Sequence, residues 1–173
     1  MSDPITLTEA PIAAAWNVQG DASRADFTDQ VARQFSIALP IVPNTIIRSE
    51  VLTAFWLGSR SWLLVAESSG SPLTDLVEKR NALNTAGGAL FDVSVSRVAY
   101  RLAGVRAADV LVTGCPLDLH PRVFRAGDCA QSVFGRVNML LCKTDEAPSF
   151  IIMVPRSFAR GVRQALCLLN LNT

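Results

Sequence analysis

Apolar residues recur along the chain at two distinct periods, and the switch between them marks out its elements. Ala13 to Val18 predicts a strand that stops at Gly20. Behind it Phe27, Val31 and Phe35 recur every four positions, which predicts an amphipathic helix capped by Asp21 and closed before Pro40. Leu52 to Leu57 and Trp62 to Ala66 flank Gly58-Ser59-Arg60 and read as a hairpin with a short turn. Ser71-Pro72 opens a second helix with Leu73, Leu76, Val77 and Leu83 on one side, and Gly87-Gly88 ends it. Leu90 to Val95 is a further strand, leading into the rest of the chain.

The same order then returns. Arg97 to Ala103 alternates Val98, Tyr100 and Leu102 against Ala99, Arg101 and Ala103, as a strand with one covered face should. Gly104 stops it, and a short helix follows through Ala107 to Leu111 toward Gly114. Beyond a polar loop come Val133 to Cys142, a turn at Asp145 to Pro148, and Phe150 to Val154. Ser157 caps a last helix with Phe158, Val162, Leu166 and Leu169 on one stripe. Trp62 to Ala66 lies 88 positions before Phe150 to Val154, and Gly20 lies 84 before Gly104. Order and spacing together predict an α+β class: two fused ferredoxin-like (split βαβ) halves, each strand-helix-strand-strand-helix, sharing one core. The expected organisation is a flexible N-terminal segment at 1–10 and a single domain at 11–173, made of pseudo-repeats 11–95 and 96–173.

Composition narrows the classes. Half of the residues are apolar and only 18% are charged, against roughly a quarter in an ordinary soluble domain. No stretch reaches the ~18 to 20 apolar residues of a bilayer span, so the shortage of charge points to a buried subunit interface rather than a membrane. A net charge of +1 supplies no long-range field for nucleic acid or anionic lipid. Arg outnumbers Lys 14 to 2, which fits interface use of the weakly hydrated guanidinium or, equally, a GC-rich coding sequence. Met1 to Glu9 lacks the basic start and apolar run of a signal peptide, so a cytoplasmic chain with reduced thiols is expected. Cys115, Cys129, Cys142 and Cys167 include no Cys-x-x-Cys pair, and Cys142 and Cys167 read as small buried hydrophobes.

Polar chemistry concentrates in Gly114-Cys115-Pro116-Leu117-Asp118-Leu119-His120-Pro121, which holds the only histidine. Cys115 with His120 could be a thiolate and its base oriented by Asp118, and the three could in principle meet zinc. Partners this close in sequence rarely converge, and structural zinc wants four ligands. The competing reading makes Gly114, Cys115, Pro116 and Asp118 a structural turn: Gly past a helix end, Pro unable to continue it, Asp accepting backbone N–H bonds. The following His120, Arg122, Phe124 and Arg125 have the composition of an interface anchor, or else form a solvated loop with Phe124 tucked back onto the domain. Neither a Gly-x-x-x-x-Gly-Lys-Ser/Thr loop nor a Gly-x-Gly-x-x-Gly turn is present, which argues against nucleotide binding. Val133-Phe134-Gly135-Arg136-Val137 is a poor match to an RNA-binding strand.

Taken in order, Trp56-Leu57-Gly58, Trp62-Leu63-Leu64, Arg101-Leu102-Ala103-Gly104, the Gly114 to Pro121 block, Cys129-Ala130-Gln131 and Pro155-Arg156-Ser157-Phe158-Ala159 resemble the gamma subunit of heterotetrameric sarcosine oxidase. The resemblance implies a chain without catalytic, cofactor-binding or metal-binding residues of its own. It implies alpha, beta and delta partner subunits, chiefly alpha, that carry FAD, FMN, NAD, tetrahydrofolate and zinc and convert sarcosine to glycine. A more distant similarity links Phe91-Asp92-Val93-Ser94 and Arg101 to Gly104 with the N-terminal folate-binding fold of aminomethyltransferases. Those enzymes place paired carboxylates in a later strand. The counterpart here, Gly135-Arg136-Val137-Asn138-Met139-Leu140, has none, so Asp92 reads as securing a strand junction. The alternative is a stand-alone folate-dependent one-carbon transferase or folate-binding protein.

Overall fold

The protein is described by a computed structural model covering residues 5–68 and 74–171. In chain order its elements are β1 (Thr6–Ala10), β2 (Ala14–Gln19), α1 (Ala25–Phe35), β3 (Ile46–Arg48), β4 (Leu52–Gly58), β5 (Ser61–Ala66), α2 (Leu76–Thr85), β6 (Ala89–Asp92), β7 (Arg97–Ala103), α3 (Ala107–Val112), β8 (Cys129–Phe134), β9 (Val137–Cys142), β10 (Ser149–Pro155) and α4 (Ala159–Leu171). They form two compact units, one of residues 12–95 and one of residues 1–11 with 96–173.

In the unit of residues 12–95 the sheet order is β3-β4-β5-β2-β6, with every neighbour antiparallel. Strand β5 is inserted between β2 and β4, which is the split βαβ arrangement, and β3 adds an edge. Alternation places Trp16, Val18, Ala54, Trp62 and Leu64 on the side that meets Phe27, Val31 and Phe35 of α1 and Leu83 of α2. Phe35 packs tilted against Trp16 at 5.5 Å and Phe27 against Trp62 at 6.0 Å between ring centroids. The buried Trp62 indole donates to the Pro40 carbonyl at 2.8 Å, so its polar atom is satisfied. Phe27 lies so close to the backbone that a methyl group on Gly20 or Gly88 would overlap its ring.

The second unit has the order β1-β7-β10-β9-β8, again antiparallel throughout. Strand β1 pairs Thr6 with Ala103 through Ala10 with Ala99, and so lies beside β7 as β6 lies beside β2. Its core joins Tyr100, Leu102, Leu141 and Ile152 of the sheet to Val110 and Leu111 of α3 and Val162 and Leu166 of α4. The face of each sheet away from the helices is buried too, at Ala15, Phe55, Leu63 and Val65 in one and Ala99, Leu140, Cys142 and Met153 in the other. Burial on both faces explains the uninterrupted apolar runs of β5 and β10.

Several expectations change. Residues 6–10 are not a flexible segment but a strand, held by backbone hydrogen bonds to β7, while residues 1–4 lie outside the described residues. The helix-side apolar residues form two clusters, one in each unit. Asp21 does not cap α1; its carboxylate accepts from the Ser23 N–H and hydroxyl, and the helix begins after Arg24. Ser71, Pro72 and Leu73 lie outside the described residues, and Val77 points to solvent because α2 turns Leu83 inward. Residues 133–142 are not one strand: Gly135, at φ 62°, opens a two-residue turn that folds β8 onto β9. Ser157 makes no side-chain cap, and Phe158 is exposed because a 3-10 turn at Arg156–Phe158 precedes α4. Cys167 is exposed as well, on the side of α4 away from Leu166.

Overpacking at the Phe27 contact is measurable: Gly20→Ala should lower stability by about 1–3 kcal/mol in urea titration. Gly58→Ala, whose added carbon meets nothing within 4 Å, should change it by less than about 0.5 kcal/mol.

Candidate functional site

The Gly114 to Pro121 block follows α3 directly. Gly114 and Cys115 both donate backbone N–H bonds to the Leu111 carbonyl, at 3.1 and 2.9 Å, and close the last turn. Gly114 itself has no positive φ; a Cβ there would lie 2.9 Å from the Phe134 ring. The glycine is therefore a landing place for an aromatic ring, not a left-handed cap. Its carbonyl accepts from Gly135 N at 2.7 Å, which ties the helix end to the β8–β9 turn.

The three reactive side chains face different environments. Cys115 is buried in the core with Sγ 3.8 Å from the Ser132 hydroxyl. Asp118 turns its carboxylate onto its own loop and accepts the His120 backbone N–H at 2.9 Å. His120 is exposed, and its Nδ1 accepts the Arg122 N–H at 3.2 Å. Asp118 thus orients the histidine's backbone, not its imidazole. Among the described residues no group of three His, Cys, Asp or Glu side chains is placed to hold a metal ion.

Of the interface candidates, Phe124 follows the second of the two readings, tucked back onto its unit. It is buried with its ring 6.3 Å from Phe150, because Val123 and Phe124 both donate to the His120 carbonyl in a tight turn that rolls the ring inward. Val123 is the exposed apolar residue of the loop instead. His120, Arg122 and Arg125 stay exposed, with the Arg125 guanidinium donating twice to the Arg122 carbonyl.

Carboxylates elsewhere show the same habit. Asp21, Asp92 and Asp145 each accept the N–H two residues on, and Asp128 accepts that of Arg125. Asp92 secures a junction: it holds the Ser94 hydroxyl at 2.6 Å, and that oxygen in turn accepts the Ala15 N–H at 3.0 Å. The Ser94 hydroxyl, and after it the Ser94 N–H, hold the Asp92 carboxyl below the usual range. The two lysines, which sequence reasoning passed over, are both buried. Lys79 lies 6.0 Å from the Phe35 ring centre, and Lys143 donates to the Asp145 carbonyl at 2.8 Å. The apolar run Met139-Leu140-Leu141-Cys142 just before it was the available signal for Lys143. Strand β9 opens with Val137, Asn138, Met139 and Leu140, of which Met139 and Leu140 are buried.

The Sarcosine oxidase, gamma subunit family matches residues 19–167. Over 117 residues the chain is 36% identical to sarcosine oxidase subunit gamma of Corynebacterium sp. (strain U-96), covering 67% of this chain and 56% of that one. The chain therefore spans about half the length of that curated relative. The fold also superposes on a chain of the heterotetrameric sarcosine oxidase from Corynebacterium sp. U-96, solved in complex with pyrrole 2-carboxylate. The TM-score is 0.86 at 25% identity, over 97% of this chain and 84% of that one. A glycine cleavage system aminomethyltransferase T from Bartonella henselae matches at TM-score 0.61 and 14% identity, over 95% of this chain and 46% of that one, a likeness of fold alone.

Ser94→Ala should raise the Asp92 pKa toward the ordinary ~3.9, read by carboxyl-carbon NMR titration. A depressed folded-state pKa contributes stability that is present above the unfolded value and lost as pH falls through the folded one. The stability gap between the parent and Ser94→Ala should therefore narrow as pH drops below about 4.

Proposed function

The chain belongs to the sarcosine oxidase gamma subunit family, and from that membership we propose that it is the non-catalytic gamma subunit of a heterotetrameric sarcosine oxidase. The observation that carries this reading is the family match over residues 19–167, which takes in both units. The whole complex oxidatively demethylates sarcosine to glycine, with hydrogen peroxide and formaldehyde or methylene-tetrahydrofolate as co-products. Partner alpha, beta and delta subunits carry the FAD, FMN, NAD, tetrahydrofolate and zinc, and alpha is the principal contact. The role in this chain is to support assembly. Two features favour it: Cys115, Asp118 and His120 are engaged in packing and turns, and the folate-fold counterpart strand has no carboxylate.

Residues His120, Arg122 and Arg125, with Val123 taking the apolar place expected of Phe124, form the contact surface in this reading. Exposed arginines beside an apolar side chain suit a protein partner, since guanidinium loses less than ammonium on desolvation.

Tagged in its native cells and grown on sarcosine, the chain should co-purify as a yellow assembly that oxidises sarcosine. A colourless chain of monomer or homodimer mass, from lysate that still oxidises sarcosine, overturns the proposal. In the assembled complex Cys115→Ala should leave turnover within about twofold, whereas Arg122→Glu should reduce co-purifying flavin roughly tenfold with the fold intact.

A further inference from the structure

Cys129 and Cys142 are opposite one another in the register of the β8–β9 hairpin, both buried and neither in a disulfide. Because alternate residues of a strand share a face, cross-strand partners point their side chains the same way. The neighbouring bond fixes which kind of pair they are. Lys143 N donates to the Asp128 carbonyl at 3.0 Å, so residues 143 and 128 form the hydrogen-bonded pair. Residues 142 and 129 are then the non-hydrogen-bonded pair, in which the strands approach most closely and side chains are nearest. Either class of antiparallel pair falls within the Cα separation that a disulfide spans without backbone movement. Among the described residues strand β8 is the edge of its sheet, and Cys129 is its first residue. An edge strand opens locally at lower cost than a central one, which gives a small oxidant a route to a buried thiol.

We propose that Cys129 and Cys142 are a peroxide-sensitive dithiol that closes to a disulfide within the hairpin. The thiolate of one cysteine attacks an oxygen of hydrogen peroxide, breaking the O–O bond and leaving a sulfenic acid and one water. The second thiol then displaces the hydroxyl, the S–S bond forms, and the second water leaves with the remaining proton. Two thiols are oxidised and one peroxide is reduced. Hydrogen peroxide is also the co-product in the proposed function, so the pair would meet its oxidant where that oxidant is made. Cys167 is exposed and Cys115 faces Ser132, so neither is placed to compete for the same bond.

The test supplies peroxide from outside and is therefore independent of whether the chain assembles into an oxidase. The purified full chain, fully reduced, is treated with hydrogen peroxide under native conditions, denatured, alkylated and mapped by mass spectrometry. The expected result is a peptide linking Cys129 to Cys142, a loss of two of the four alkylatable thiols to that link, and full recovery with dithiothreitol. The same link should form in Cys167→Ser, which removes the exposed thiol. Complete alkylation of Cys129 and Cys142 at a dose that oxidises Cys167 would overturn the inference, as would an intermolecular bridge through Cys167 as the only disulfide.

Discussion

A split βαβ sheet leaves a slot beside its first strand, and filling that slot is the constraint on which the architecture turns. In the unit of residues 12–95 the chain fills it at once, by running from α2 into β6 beside β2. In the second unit the slot beside β7 is taken by β1, which lies upstream of the whole other unit. The same five-strand order therefore arises from two different connectivities. Without β1, the β7 edge would present unpaired N–H and C=O groups along Ala99 to Ala103, an invitation to wrong pairing.

Within that frame, bare backbone carries much of the packing. Phe27 rests on Gly20 and Gly88, and Phe134 on Gly114, so in each unit one ring pins a strand end or helix end to its neighbour. The polar groups do a related job. Asp21, Asp92, Asp118 and Asp145 each satisfy an N–H two residues on, keeping loops short and closed. Carboxylates committed to such turns are poorly placed for acid–base work.

Much of the fold was legible because it rests on local periodicity. Phe27, Val31 and Phe35 announced α1, and the 88-position repeat of the Trp62 and Phe150 strands announced the duplication. What escaped depended on distant partners. Thr6 to Ala10 carries no strong alternation, and only the waiting edge of β7 makes it a strand. Gly114 was legible as a stop but not as a contact, because Phe134 is twenty positions away. Cys129 to Ser132 is too polar to stand out, and Gly135 followed by Arg136 was the one local hint of the β8–β9 hairpin. At the candidate site the turn at Asp118 could be read from residue types, whereas choosing between an exposed and a tucked-in Phe124 needed the His120 carbonyl that orders the loop.

The upstream position of β1 has a consequence for how the chain acquires its structure on the ribosome. Residues 12–95 emerge as one contiguous stretch and can complete their sheet as soon as β6 is out. Strand β1 is made before them, yet its partner β7 is made after, so it must wait unpaired through the synthesis of an entire unit. The second sheet then closes across a long loop in the chain, a step that high contact order makes slow. Translation thus imposes an order, early unit first and pairing of β1 last, on two halves whose finished sheets are otherwise alike.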